Sequence, residues 1–205
     1  MSWLVFYPRT MWRAVRHPLE TMSRGETDLG LPPEDQFRDI LSPPIFLLLT
    51  VLLAHVLAVE LVGDRSLIDS KRGLAALISD DTSLILLRIL VFAAVPIVVA
   101  SFAARVFGQP LDRSTLQPIF YAQCYATTPT VLAFSAAGTL SQISGRECAI
   151  AAATMLLAGS LYYLGAETGW FKRELKRSWI SAAAYALGVF GISTIILIGS
   201  ALLFA

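Results

Sequence analysis

Charge is scarce in this chain and cysteine is almost absent. Asp, Glu, Lys and Arg make up 15% of the 205 residues, while 56% are hydrophobic and the mean hydropathy is +0.65. A typical soluble domain carries about 25% charged residues. So little charge cannot clothe a surface facing water, which places the chain among membrane proteins. Sixteen basic and fifteen acidic side chains leave a formal charge of +1, so no broad basic field exists to hold nucleic acid. Two cysteines without close Cys or His spacing exclude a disulfide framework, a zinc ribbon and a CxxC redox centre. HExxH, GxSxG, P-loop and GxGxxG patterns are also missing, as is any Ser/His/Asp set that could converge at one depth. The expectation is a protein that is not an enzyme and holds no cofactor or metal. Asp69, Asp80 and Asp81, scattered over a polar connection at 64–82, read as solvated acids rather than ligands.

What the chain has in quantity is apolar length. Hydrocarbon about 30 Å thick needs about 20 apolar residues at 1.5 Å per residue. Five stretches qualify: 43–63, 83–104, 118–140, 148–166 and 179–205. The first carries His55 and Glu60, the second Arg88, and the other three no charge. Lipid offers no partner to backbone amides, and the alternating ten-residue pattern of a membrane barrel is missing, so these segments should be helices. The predicted fold is all-α: a polytopic membrane bundle of five transmembrane helices at 43–205, preceded by a cytoplasmic amphipathic arm at 1–42.

Basic residues orient such a bundle. Arg9, Arg13, Arg16, Arg24, Arg38, Arg105, Arg113, Lys172, Arg173, Lys176 and Arg177 gather on the side of the N-terminus, against Arg65, Lys71, Arg72 and Arg146 opposite. The N-terminus is therefore expected in the cytoplasm and the C-terminus outside, as in a bacterial inner-membrane protein. The apolar run from Trp3 to Tyr7 is too short for a signal-peptide core, so no cleavage is expected there.

Within the arm, a helical projection of residues 8–17 groups Met11, Trp12 and Val15 opposite Arg9, Arg13 and Arg16. That pattern suits a helix lying on the membrane, with Arg9, Trp12, Arg13 and Arg16 contacting lipid; each arginine near an anionic leaflet contributes about 1 kcal/mol. Packing on the cytoplasmic ends of the bundle is the alternative. Pro32 and Pro33 followed by Glu34 and Asp35 predict a second short helix at 34–41, with Phe37, Ile40 and Leu41 on one face.

Polar groups inside hydrocarbon cost several kcal/mol unless paired. Glu60 and Arg88 lie at matching depths and can form an ion pair. His55, deeper in the first span, is the best lone candidate for function, and a packing role is its alternative. Tyr121, Gln123, Tyr125, Thr127 and Thr128 cluster ahead of Pro129, and Pro96 sits in the second span. Bent, polar-studded helices either border a cavity or bond to neighbouring helices. Ala151, Thr154 and Ala158, and Ala184, Gly188 and Gly191, permit close helix contact within one chain or between two. Cys124 and Cys148 fall at different depths and read as structural.

The stretch 107–129 holds Phe107, Gly108, Ser114, Tyr121, Ala122, Tyr125, Ala126 and Pro129. With the five-span plan and the N-terminal arm, it resembles the Yip1-domain family of small polytopic membrane proteins, in the style of a bacterial member. The resemblance implies a scaffold or organiser that binds lipid, other membrane proteins or itself, and not nucleic acid. A small permease, or the membrane subunit of a transporter complex, is the alternative.

Overall fold

A computed structural model describes residues 3–62 and 81–203; Asp69, Asp80, Arg65, Lys71, Arg72 and the last two residues lie outside them. All regular structure among the described residues is helical, with no strand. Two short helices, α1 (Trp3–Arg16) and α2 (Pro18–Thr27), build the arm. Five long ones follow: α3 (Pro43–Val62), α4 (Asp81–Val106), α5 (Arg113–Ser141), α6 (Arg146–Leu175) and α7 (Trp179–Leu203).

Four of the long helices, Pro43–Val62, Ile85–Val106, Arg146–Leu175 and Trp179–Gly199, are long and apolar enough to cross a membrane. This is the composition of an integral membrane protein. Their outward faces carry Leu53, Val56 and Leu61 on α3, Leu86 and Leu90 on α4, Leu157 and Leu161 on α6, and Ile180, Leu187 and Ile195 on α7. Water would penalise apolar patches of that extent; lipid does not.

The connections at 107–112, 142–145 and 176–178 are too short to lead the chain back along a helix, so successive helices run in opposite directions. Phe46, near the start of α3, stands 6.1 Å from Tyr125 in the first half of α5, and later in both helices Ala54, Leu57 and Leu61 share a cavity wall with Leu132, Ala136 and Leu140, so these two run parallel. The arm therefore sits at the end where α3, α5 and α7 begin. Gly108, at φ +68°, closes α4 there, and Gln109 N–H reaches the carbonyl of Ala104 at 2.9 Å; a side chain at that φ would be strained. Asp112 then caps α5 by accepting from Thr115 N–H at 2.8 Å and Ser114 Oγ at 2.7 Å, which holds its carboxyl below the usual range.

Helix α5 is the axis of the bundle, packed by α1, α2, α3, α4 and α6. Every residue from Ala122 through Val131 is buried. Surrounded by protein, this helix can carry glutamines and threonines that a lipid-facing helix cannot, which is why it is less apolar than its neighbours. Pro96 and Pro129 both lie inside continuous helices.

Small residues bring α5 and α6 together within the chain, at positions other than Thr154 and Ala158. The seam runs through Ala152, Gly159, Tyr163 and Ala166. A Cβ on Gly159 would stand 3.0 Å from Ala133 Cβ and 3.1 Å from the Phe134 ring. Thr154 and Ala158 face outward, as do Ala184 and Gly188, while α7 packs through Ala182, Ala186 and Val189. Cys124 is buried, Cys148 half-buried, and both are free.

One expectation for the path of the arm needs correction. Residues 34–41 are not a helix but a series of turns: Asp35 and Gln36 donate back to Pro32, and Phe37 then enters the left-handed region at φ 52°. The gain is that Phe37 reaches Tyr121, with ring centroids 5.9 Å apart, while Ile40 and Leu41 enter the core. The helix lies earlier, at α2. Its signals were Pro18 at the first helical position, Glu20 in the first turn and Arg24 in the last.

Candidate functional site

The arm is built into the bundle rather than laid beside it. Thr10 and Ala14 of α1, Thr21, Met22 and Gly25 of α2, and Ile40 and Leu41 are all buried. Gly25 permits the closest approach: a Cβ there would lie 3.0 Å from both Tyr121 C and Ala122 N. Polar contacts complete the seat. Tyr125 Oη donates to the Leu41 carbonyl at 2.7 Å, Leu41 N–H donates to Thr10 Oγ1 at 3.0 Å, and Tyr162 Oη donates to the Ala14 carbonyl at 2.9 Å. Trp170 Nε1 donates to Glu26 Oε1 at 2.9 Å, and Arg173 reaches Glu26 at 3.6 Å and the Leu19 carbonyl at 3.0 Å. Desolvation outweighs these donors and raises the Glu26 carboxyl above its usual range, with Glu174 adding to the rise.

The opposite face of α1 is open. Val5, Trp12 and Val15 are exposed, Trp12 by 64%, and the guanidinium of Arg16 stands 5.4 Å from the Trp12 ring centroid. Arg9 and Arg16 are exposed. Arg13 departs from the expectation that it faces outward with them. It is half-buried and turned back to Glu20 at 3.7 Å, so the outward set is Arg9, Trp12 and Arg16.

Among the intramembrane candidates, the structure joins a different pair from the one foreseen. Glu60 is exposed and forms no ion pair with Arg88. Arg88 instead approaches buried His55, Nη1 to Nδ1 at 3.3 Å. A guanidinium only donates, so this contact needs a lone pair on Nδ1 and leaves the ring proton on Nε2. The pair joins α3 to α4. Sequence spacing favoured an acid for Arg88 because depth alone was legible; rotation about the helix axis was not.

Gln123 and Tyr125, two positions apart on α5, are both buried and serve different ends. Tyr125 holds the arm, whereas Gln123 Nε2 donates to Glu167 Oε2 at 3.3 Å. Glu167 was missed by reading the fourth span as ending at Ala166. A carboxylate looks like the edge of a span, but α6 continues to Leu175 and Glu167 has no exposed surface. Its signal was the four-residue spacing from Tyr163 and the proximity of Trp170, which put all three on the inner face of a helix that had not ended.

One helical turn away, a cavity of about 30 Å³ is lined by Thr127, Thr130, Tyr163 and Ser193, together with apolar residues such as Phe92 and Phe134. Neither His55 nor Tyr125 reaches it. Among the described residues, no three His, Cys, Asp or Glu side chains gather to hold a metal. The chain matches no family model, no curated protein and no solved structure with which it was compared.

Proposed function

We propose that this is a five-span membrane scaffold of Yip1-like type, with the N-terminal arm in the cytoplasm and the C-terminus outside, as in a bacterial inner membrane. α5, third in chain order, joins the four more apolar helices as a span. At 29 residues it is about 43 Å long, and its ends join α4 and α6 at opposite ends of the bundle. Burial by its neighbours accounts for its modest hydropathy. The basic residues of the arm, with Arg105, Arg113 and the 172–177 cluster, lie at the end expected in the cytoplasm.

The observation that carries the scaffold reading is the two-faced α1. Its inner face is part of the core, and its outer face presents Val5, Trp12 and Val15 beside Arg9 and Arg16. A rigid seat for an apolar, basic surface suits binding to an anionic leaflet or to the juxtamembrane part of another membrane protein, and demands no chemistry. The test is vesicle tethering: the full chain, reconstituted in neutral liposomes with α1 on the outer surface, is mixed with anionic or neutral vesicles and tethering is measured. Arg9→Glu with Arg16→Glu and Trp12→Ala should abolish tethering to anionic vesicles. Unchanged tethering by the triple variant would remove the basis of this reading.

The small-permease reading draws on one observation, the buried Gln123–Glu167 pair. Against it, the cavity beside that pair is small and ends short of Tyr125. Uptake or efflux that depends on Glu167 in reconstituted vesicles would favour it over a scaffold.

A further inference from the structure

Glu167 carries the only fully buried carboxyl group among the described residues. It meets Gln123 across the α5–α6 seam, where Gln123 Nε2 donates to Glu167 Oε2 at 3.3 Å. The remaining oxygen of each group, Glu167 Oε1 and Gln123 Oε1, has no hydrogen-bond partner. Neither side chain has any exposed surface, so bulk water does not supply one.

A buried carboxyl keeps its charge only beside a cation or several donors; without them it gives the charge up. Among the described residues no Lys, Arg or His pairs with Glu167. Arg173, further along α6, is engaged by Glu26 and Glu174 instead. On α2, Glu26 itself turns to Trp170 and Arg173; α5 contributes the amide of Gln123, and α7 packs through Ala182, Ala186 and Val189. The titratable side chains that feel Glu167 are Tyr162 and Tyr163 of its own helix, and neither brings a positive charge. While Glu167 is ionised, both orphan oxygens are acceptors and neither can serve the other. One proton on Glu167 Oε1 changes that. The acid then donates to Gln123 Oε1 while Oε2 goes on accepting from Nε2, and the two bonds close a ring that satisfies both groups.

We propose that Glu167 is a proton-binding site, held in the folded chain as a neutral acid that pairs with the amide of Gln123 through two hydrogen bonds. A carboxyl kept neutral by its surroundings can donate where a carboxylate cannot. The proton joins α5 to α6 just inside the seat of the arm, since Gln123 follows the Tyr121–Ala122 backbone on which Gly25 rests and Glu167 precedes Trp170 by three residues. Its loss leaves the oxygens of both groups facing a single amide nitrogen, and the seam loosens there. This proposal rests on the α5–α6 contact alone and does not depend on the scaffold reading.

Infrared spectra of the full chain are recorded at neutral pH in dodecyl maltoside, a detergent with no carbonyl to mask the acid stretch. The wild type should show a protonated-carboxyl band that shifts when its glutamates carry carbon-13 at the carboxyl. Glu167→Gln should lose that band. Glu26→Gln should keep it, which separates Glu167 from the half-buried carboxyl of Glu26. Gln123→Leu takes away the acceptor and should move the band to higher frequency; it also serves should Glu167→Gln fail to fold. A wild type without a glutamic-acid band overturns the proposal, as does a band that survives Glu167→Gln. A band that Gln123→Leu leaves in place overturns the pairing on which it stands.

Discussion

Replacing Gly25 by valine should unseat the arm. The ideal Cβ falls 3.0 Å from Ala122 N and Tyr121 C and 3.1 Å from Tyr121 O, and these are backbone atoms of the central helix, which cannot retreat. Overpacking of this kind costs about 1–3 kcal/mol. Valine's helix propensity, better than glycine's, returns only a few tenths of a kcal/mol, so the steric cost wins. A net loss of about 1–2 kcal/mol raises the population with α2 undocked by roughly 5- to 30-fold. Hydrogen exchange followed by mass spectrometry reads that population directly: amides of α2 should exchange faster by that factor, with those of α6 and α7 unchanged. Gly30→Ala is the control, because a Cβ there meets nothing within 4 Å. Gly169→Ala is a graded case. Its Cβ would approach only the Leu19 methyls, at 2.9 Å, and a flexible, partly exposed side chain can yield. Exchange in α2 that is the same for Gly25→Val and the wild type would refute the docking argument.

Tyr125→Phe keeps the ring packed near Phe46 but leaves the Leu41 carbonyl without its donor. A buried group so deprived costs about 1–3 kcal/mol, and the unfolding midpoint should drop accordingly; an unchanged midpoint would show that this bond does not hold the arm. Glu26 supplies a pH dependence. Burial raises its folded-state pKa above the ordinary 4.5, so its favourable contribution is complete below that value and is lost as pH rises through the raised one. Protection of α2 amides should therefore weaken with rising pH in the wild type, whereas Glu26→Gln should flatten that part of the profile. A profile unaffected by Glu26→Gln would contradict the assignment.

The five apolar stretches marked helices well, because hydrocarbon sets a minimum length that composition reveals. Helix ends were less legible: α5 begins at Arg113, where Asp112 caps it, not at the first residue of the apolar run. Glu167 shows why. A charge is a reasonable mark of a span's edge only where it meets water, and here α5 and the arm cover it. The helical projection set Trp12 opposite the arginines, whereas Arg9, Trp12 and Arg16 are exposed together, with Arg16 5.4 Å from the Trp12 ring. That Arg13 folds back to Glu20, and that Arg88 chooses His55 over Glu60, depends on how helices are rotated against one another, which periodicity within one helix does not encode. The left-handed Phe37 was likewise invisible, since its tertiary contact with Tyr121 is what supports that conformation.

The polar character of α5 bears on how the chain is made. A segment rich in Gln and Thr is a poor client for release into lipid by itself; its amides and hydroxyls find partners only when the flanking helices close around it. On a five-span route, α5 must linger at the site of insertion until α6 emerges. Truncation after Ser141 should then leave it slipping back to the aqueous side, a defect of biogenesis rather than of the finished bundle.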